Sequence, residues 1–69
     1  MKIGKLVFNS DGDVIEAAES TSYSSWAEAQ AAADVLKNAN DDSNVIGIFI
    51  AAETSPDTYI IKSISNIVV

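Results

Sequence analysis

The chain of 69 residues contains no cysteine and no histidine, and its four cationic side chains, Lys2, Lys5, Lys37 and Lys62, are all lysines. Without cysteine there are no disulfides, and without histidine or cysteine the ligand set of a structural zinc site is missing, so two usual supports of small domains are excluded. The lack of histidine also leaves every serine without its commonest catalytic base. A Ser–Lys pair would need a buried lysine, and nothing around the four lysines suggests one. The net charge is −6. Phosphate contacts need clustered Lys or Arg, so direct nucleic-acid binding is not expected. No stretch approaches the ~18–20 apolar residues of a membrane helix. Met1 to Phe8, with lysines at 2 and 5 and only a brief apolar run, is too short for a secretory h-region. The expected location is therefore cytoplasmic, or the virion or host cytoplasm for a phage-encoded chain, with no membrane partner.

What the chain does have is a hydrophobic content of 48%, high for a length that suits one domain, 1–69. A domain near 60 residues buries only about 60% of its unfolded surface. With disulfides and zinc excluded, oligomerisation is the support that remains.

One stretch, Ser25 to Asn40, reads as an α-helix. Five alanines lie between Ala27 and Ala33, and alanine is the best helix former. On a 3.6-residue period Ala29, Ala32, Ala33 and Leu36 share one side, with Trp26 and Val35 at its edges, while Gln30, Asp34, Lys37 and Asn38 fall opposite. Ser25 with Glu28 matches a capping box. Gln30–Asp34 and Asp34–Lys37 are spaced for weak surface pairs. Asn38 and Asn40 suit the left-handed conformation that stops a helix, and the acidic pair Asp41–Asp42 disfavours its extension. Trp26 is expected to anchor the helix N-terminus to the sheet.

The flanking segments are short, β-branched and punctuated by turns. Lys2 to Phe8 reads as a strand, and Asn9-Ser10-Asp11-Gly12 as a turn with Gly12 where a positive φ is needed. Asp13 to Glu19 returns as the second arm of a hairpin; a G1 bulge at Gly12 sets Phe8 opposite Val14 and Val7 opposite Ile15. The Asp11-Gly12-Asp13 cluster does not fit a calcium loop. With Gly12 at the sixth loop position, Val7 would be the first ligand and Ala18 the twelfth. No metal or cofactor is expected.

Ser20 to Ser24 is a polar connector. Val45 to Ala52 is apolar at both alternating sets of positions and reads as a strand buried on both faces. A turn around Pro56 leads into Thr58 to Val69, with Tyr59, Ile61, Ile67 and Val69 on one face and Ile60, Ile64 and Val68 on the other. The pattern is ββαββ: an α+β fold of two antiparallel hairpins forming a small sheet, with one helix (about 25–40) packed on one face.

One helix of about 15 residues covers one face of a four-stranded sheet and not the other. Leaving Ile, Val or Phe side chains exposed forgoes about 1.5–3 kcal/mol each, and an exposed apolar patch marks an interface. The expected partner is a second copy, with a dimer favoured and Ile64, Ile67 and Val69 as interface candidates. The function expected on these grounds is a small homo-oligomeric structural or interaction protein without catalytic activity, its other protein partners unspecified. A first alternative is an acidic inhibitor that mimics nucleic acid, although the acidic groups are scattered from Asp11 to Asp57. A second is a small-ligand binder or carboxylate-based enzyme, with Glu16, Glu19 or Glu53 for acid–base work and Trp26, Tyr23 and Tyr59 lining a pocket.

Overall fold

A computed structural model describes residues 1–55 and 58–67. The elements follow in the order β1 (Lys2–Phe8), β2 (Val14–Ala18), α1 (Trp26–Asn38), β3 (Val45–Ser55) and β4 (Thr58–Asn66). They form one four-stranded antiparallel sheet of order β2-β1-β3-β4 with the helix packed on it. The first hairpin has the expected register, Phe8 opposite Val14 and Val7 opposite Ile15. Its turn closes as anticipated: Gly12 has φ 83, its N–H donates to the Asn9 carbonyl at 3.0 Å, and the Asn9 N–H donates to the Asp13 carbonyl at 2.9 Å. The Asn9 side chain also accepts from the Asp11 and Asp13 amides. Asn at the first turn position and Gly in the left-handed region are what a type I turn with a G1 bulge requires.

The two hairpins meet through β1 and β3, the central strands. β2 and β3 therefore run parallel with β1 between them, and the helix that carries the chain from one to the other packs over β1 and β3. This explains why the first part of β3, Val45 to Ala52, is apolar at every position. Val45, Gly47, Ile48, Phe49, Ile50 and Ala51 are all buried, and Phe49 and Ala51 are fully so.

On the helix side, Ile3, Val45, Ile48 and Ile50 pack with Ala29 and Ala33, and Met1, Val7, Tyr23, Ala32, Leu36 and Ile67 surround them. Small side chains on that helical stripe let the helix lie close to branched strand residues. Its orientation agrees with the periodicity: Ala29 and Ala33 are buried, whereas Ala27, Ala31 and Asp34 are exposed. Gln30 donates to Asp34 at 3.0 Å.

The helix ends differ from expectation. At the N-terminus only half of the capping box forms. The Ser25 hydroxyl accepts from the Glu28 amide at 3.2 Å, but the Glu28 carboxylate turns to the hydroxyl and amide of Ser24 at 2.8 and 3.3 Å. A neighbouring hydroxyl donor competes successfully with the Ser25 N–H. Trp26 is 44% exposed and does not anchor the helix; Tyr23, three residues earlier, packs against the core instead. Trp26 shares the i, i+3, i+7 spacing of Ala29 and Ala33, but it stands at the first helical position, at the open end of that stripe. At the C-terminus the helix stops at Asn38. The cap, Ala39, stays right-handed; its N–H donates to the Val35 carbonyl at 3.0 Å, and the Asn40 N–H donates to the Lys37 carbonyl at 3.3 Å. Among the described residues no non-glycine has a positive φ, so the asparagines do not terminate the helix in the left-handed way. Asn40 instead ties into the following turn through the Asp42 carbonyl, and Asp42 in turn accepts from the Asn44 amide.

The second hairpin contains the main departure. Ile50 pairs with Ser63 but Ala51 pairs with Ile61, so Lys62 is an extra residue in β4. Such a bulge reverses the inside–outside alternation. By this register Tyr59 and Ile61 share a face with Ile64, not with Ile67, which packs on the helix-side core. The turn at Pro56 and the residues Val68 and Val69 lie outside the described residues.

Candidate functional site

The face of the sheet opposite the helix is the candidate site. It begins from Gly4. A Cβ there would lie 2.6 Å from the Ala17 carbonyl oxygen and 2.4 Å from the Phe49 ring, so only glycine admits the ring across β1. Phe49 is thus 0% exposed although no helix lies above it. Its cover is Tyr59, whose ring stacks on it with centroids 5.7 Å apart and planes inclined by 15°, within the range of favourable aromatic pairs. Tyr59 starts on the edge strand β4, and its hydroxyl donates at 2.9 Å to Glu16 on the opposite edge strand β2. One side chain therefore spans the sheet, joining its two edges above a buried phenylalanine. The bond to the Glu16 carboxylate, with burial and the nearby negative charge adding to it, pushes the Tyr59 phenol above its ordinary value.

Around this aromatic cover the face is apolar and open. Phe8, Val14 and Ile64 are 43%, 48% and 51% exposed. Gly47 is buried as a floor between the Leu6 and Ile64 side chains, each 3.5 Å from where its Cβ would be. The second bulge, at Ile46, keeps Val45 on the helix side and Gly47 on this one. Of the interface candidates, Ile64 lies on this open face, Ile67 on the helix side, and Val69 outside the described residues.

A second feature lies on the other side of the sheet. Beyond the edge of the helix a groove of about 360 Å³ runs beside α1, reaching down to the buried Ile3. Its helical wall is Ala32, Val35, Leu36 and Ala39, spaced as one stripe. Its other wall is the connector, which contributes Glu19, Thr21 and Tyr23. Backbone bonds hold the connector along β1: Glu19 N–H to the Ile3 carbonyl at 2.8 Å and Tyr23 N–H to the Met1 carbonyl at 2.7 Å.

The carboxylates considered for acid–base work are dispersed. Glu16 is engaged with Tyr59 on the open face, and Glu19 lines the groove. Glu53 accepts from the Ser22 hydroxyl and lies 3.4 Å from the Met1 amine. The Ser22 bond, helped by that amine and by Lys2, outweighs desolvation and holds the Glu53 carboxyl below its usual range. Tyr23 and Tyr59 also separate, one to the groove and one to the open face, and Trp26 lines neither feature described here. Among the described residues no three His, Cys, Asp or Glu side chains converge as metal ligands, and no helix is long and apolar enough to cross a membrane.

The Tyr59–Glu16 strap was not legible beforehand, because residues 43 apart in the chain meet only through strand order. The one available signal was Gly4 in the interior of a strand, which marks a close approach by another group. The chain matches no protein-family model, and no curated protein or solved structure is detectably similar to it.

Proposed function

We propose that this chain is a small homo-oligomeric interaction protein, most simply a dimer, that pairs through the open face of its sheet and carries no catalytic centre. The observation that supports this reading is the cluster of exposed Phe8, Val14 and Ile64 around the Phe49–Tyr59 stack. Contiguous apolar surface rimmed by polar residues marks association sites. Size agrees: four strands about 4.8 Å apart, averaging about 27 Å long, present roughly 500 Å² per copy, and a pair reaches the roughly 1,000 Å² that a specific interface needs. A two-fold axis through the face makes such a contact self-complementary and closed.

Light scattering after size exclusion at micromolar concentration tests it. The expected mass is twice the 7.3 kDa of one chain, with a melting temperature that rises with protein concentration. A folded monomer that persists at millimolar concentration overturns the reading.

A further inference from the structure

The groove beside α1 is independent of the open face, since it lies on the helix side of the sheet and stays accessible when open faces pair. Its origin is local. The helix packs chiefly over β3 and β1, and at the flank it presents Ala32 and Ala39, too small to fill the space between helix and connector. A volume of about 360 Å³ falls in the range of small-molecule sites, which lies at roughly 300–1,000 Å³.

The chemistry of its walls is asymmetric. The helical side is wholly apolar, with Val35 69% exposed and Leu36 beside it. The connector side contributes one acidic residue, Glu19, together with the hydroxyl-bearing Thr21 and Tyr23. The Glu19 backbone is bonded to Ile3, so its position is set, while no hydrogen bond or ion pair engages its side chain among the described residues. No lysine lines the groove. A group that lies along the apolar stripe and reaches the connector therefore meets an acceptor-rich, negative end, with an aromatic ring close by that also favours cations.

We propose that this groove is a binding site for small organic cations: an aromatic or aliphatic body against Leu36, Ala32 and Val35, and an ammonium head directed to Glu19. The charge selects the class. A neutral molecule of the same shape gains the apolar contact only, and an anion is repelled by Glu19 and by the net charge of the chain.

The test uses the whole chain, labelled with nitrogen-15, and two probes of one shape, phenethylammonium and phenethyl alcohol. The ammonium should give saturable amide shifts at Ile3, Ala32, Leu36 and Ala39, and should bind roughly fivefold more tightly than the alcohol, the scale of a partly exposed ion pair. Glu19→Gln should bring the ammonium down to the affinity of the alcohol while leaving the alcohol unchanged. Ala39→Phe, at an exposed position that keeps the fold, should fill the groove and weaken both probes. Equal binding of the two probes, an unaltered ammonium affinity in Glu19→Gln, shifts centred on Phe8, Val14 and Ile64, or no saturable shifts at all would each overturn the proposal. The same spectra report whether each variant is folded. The result does not depend on the oligomeric state, so failure here leaves the dimer reading standing and the converse also holds.

Discussion

The two faces of this sheet bury the same central strand by opposite means. On one face Ile48 and Ile50 disappear beneath a helix whose contact stripe is alanine. On the other, Phe49 disappears beneath a single tyrosine, over a glycine that makes room for its ring. The helix face relies on many small, distributed contacts, and its Ala29 and Ala33 are 0% and 5% exposed. The tyrosine face concentrates its burial in one aromatic pair and leaves Phe8, Val14 and Ile64 open around it. A distributed core tolerates no added charge anywhere on its stripe. A concentrated one depends on two or three residues, and its remaining surface is free for association.

The largest effects should come from the helix face. Ala29→Asp or Ala33→Asp places an unpaired charge in the packed stripe, and each should unfold the protein or cost several kcal/mol. Ala31→Asp, on the exposed side, should stay within about 0.5 kcal/mol. Chemical denaturation followed by circular dichroism makes the comparison; equal midpoints for the three would mean that the helix packs by another stripe.

Phe49→Ala comes next, at about 3–5 kcal/mol, because it empties the one filled site on the open face. Gly4→Ala should cost about 1–3 kcal/mol through overpacking. Shortening the ring with Phe49→Leu in the same chain should restore only part of that loss, since the Ala17 carbonyl, 2.6 Å from the new Cβ, belongs to the backbone. Full restoration would place the whole strain in the ring contact.

Ile64→Lys and Ile67→Lys separate the faces directly. Ile64 is exposed on the open face, so its lysine variant should remain folded and elute as a monomer. Ile67 packs against the helix-side core, so its variant should lose stability at every concentration. If both variants melt alike and keep their mass, association does not use this face.

The smallest effect belongs to the strap. Tyr59→Phe keeps the ring stacked and removes the bond to Glu16, with an expected loss of at most about 1 kcal/mol for a partly solvated bond. Its signature is in pH. The folded phenol titrates above its ordinary value, so the strap's contribution is fully present below about pH 10, where the unfolded phenol still holds its proton. It is lost as pH rises through the higher value of the folded state. Tyr59→Phe should flatten this part of the stability profile, and an unchanged alkaline slope would mean that the strap does not contribute to it.

The chain by itself determined the elements. The alanine run, the Asn9–Gly12 turn and the doubly apolar Val45–Ala52 stretch specify helix, hairpin register and central strand through local periodicity and turn chemistry, all of which act within a few residues. That one helix leaves one sheet face uncovered also followed from the count of elements. Four things were decided only by the tertiary structure. The bulge at Lys62, which moves Tyr59 and Ile61 onto the face of Ile64, depends on pairing with β3; Lys62, Ser63, Ser65 and Asn66 interrupt the apolar pattern locally, but only the pairing decides which residue is extra. The exchange of Tyr23 for Trp26 as the anchor depends on how the connector is held along β1. The Tyr59–Glu16 strap and the Glu19 groove need residues distant in sequence to be adjacent in space. Periodicity reports which side of its own element a residue occupies, whereas only the packed chain determines what stands across from it.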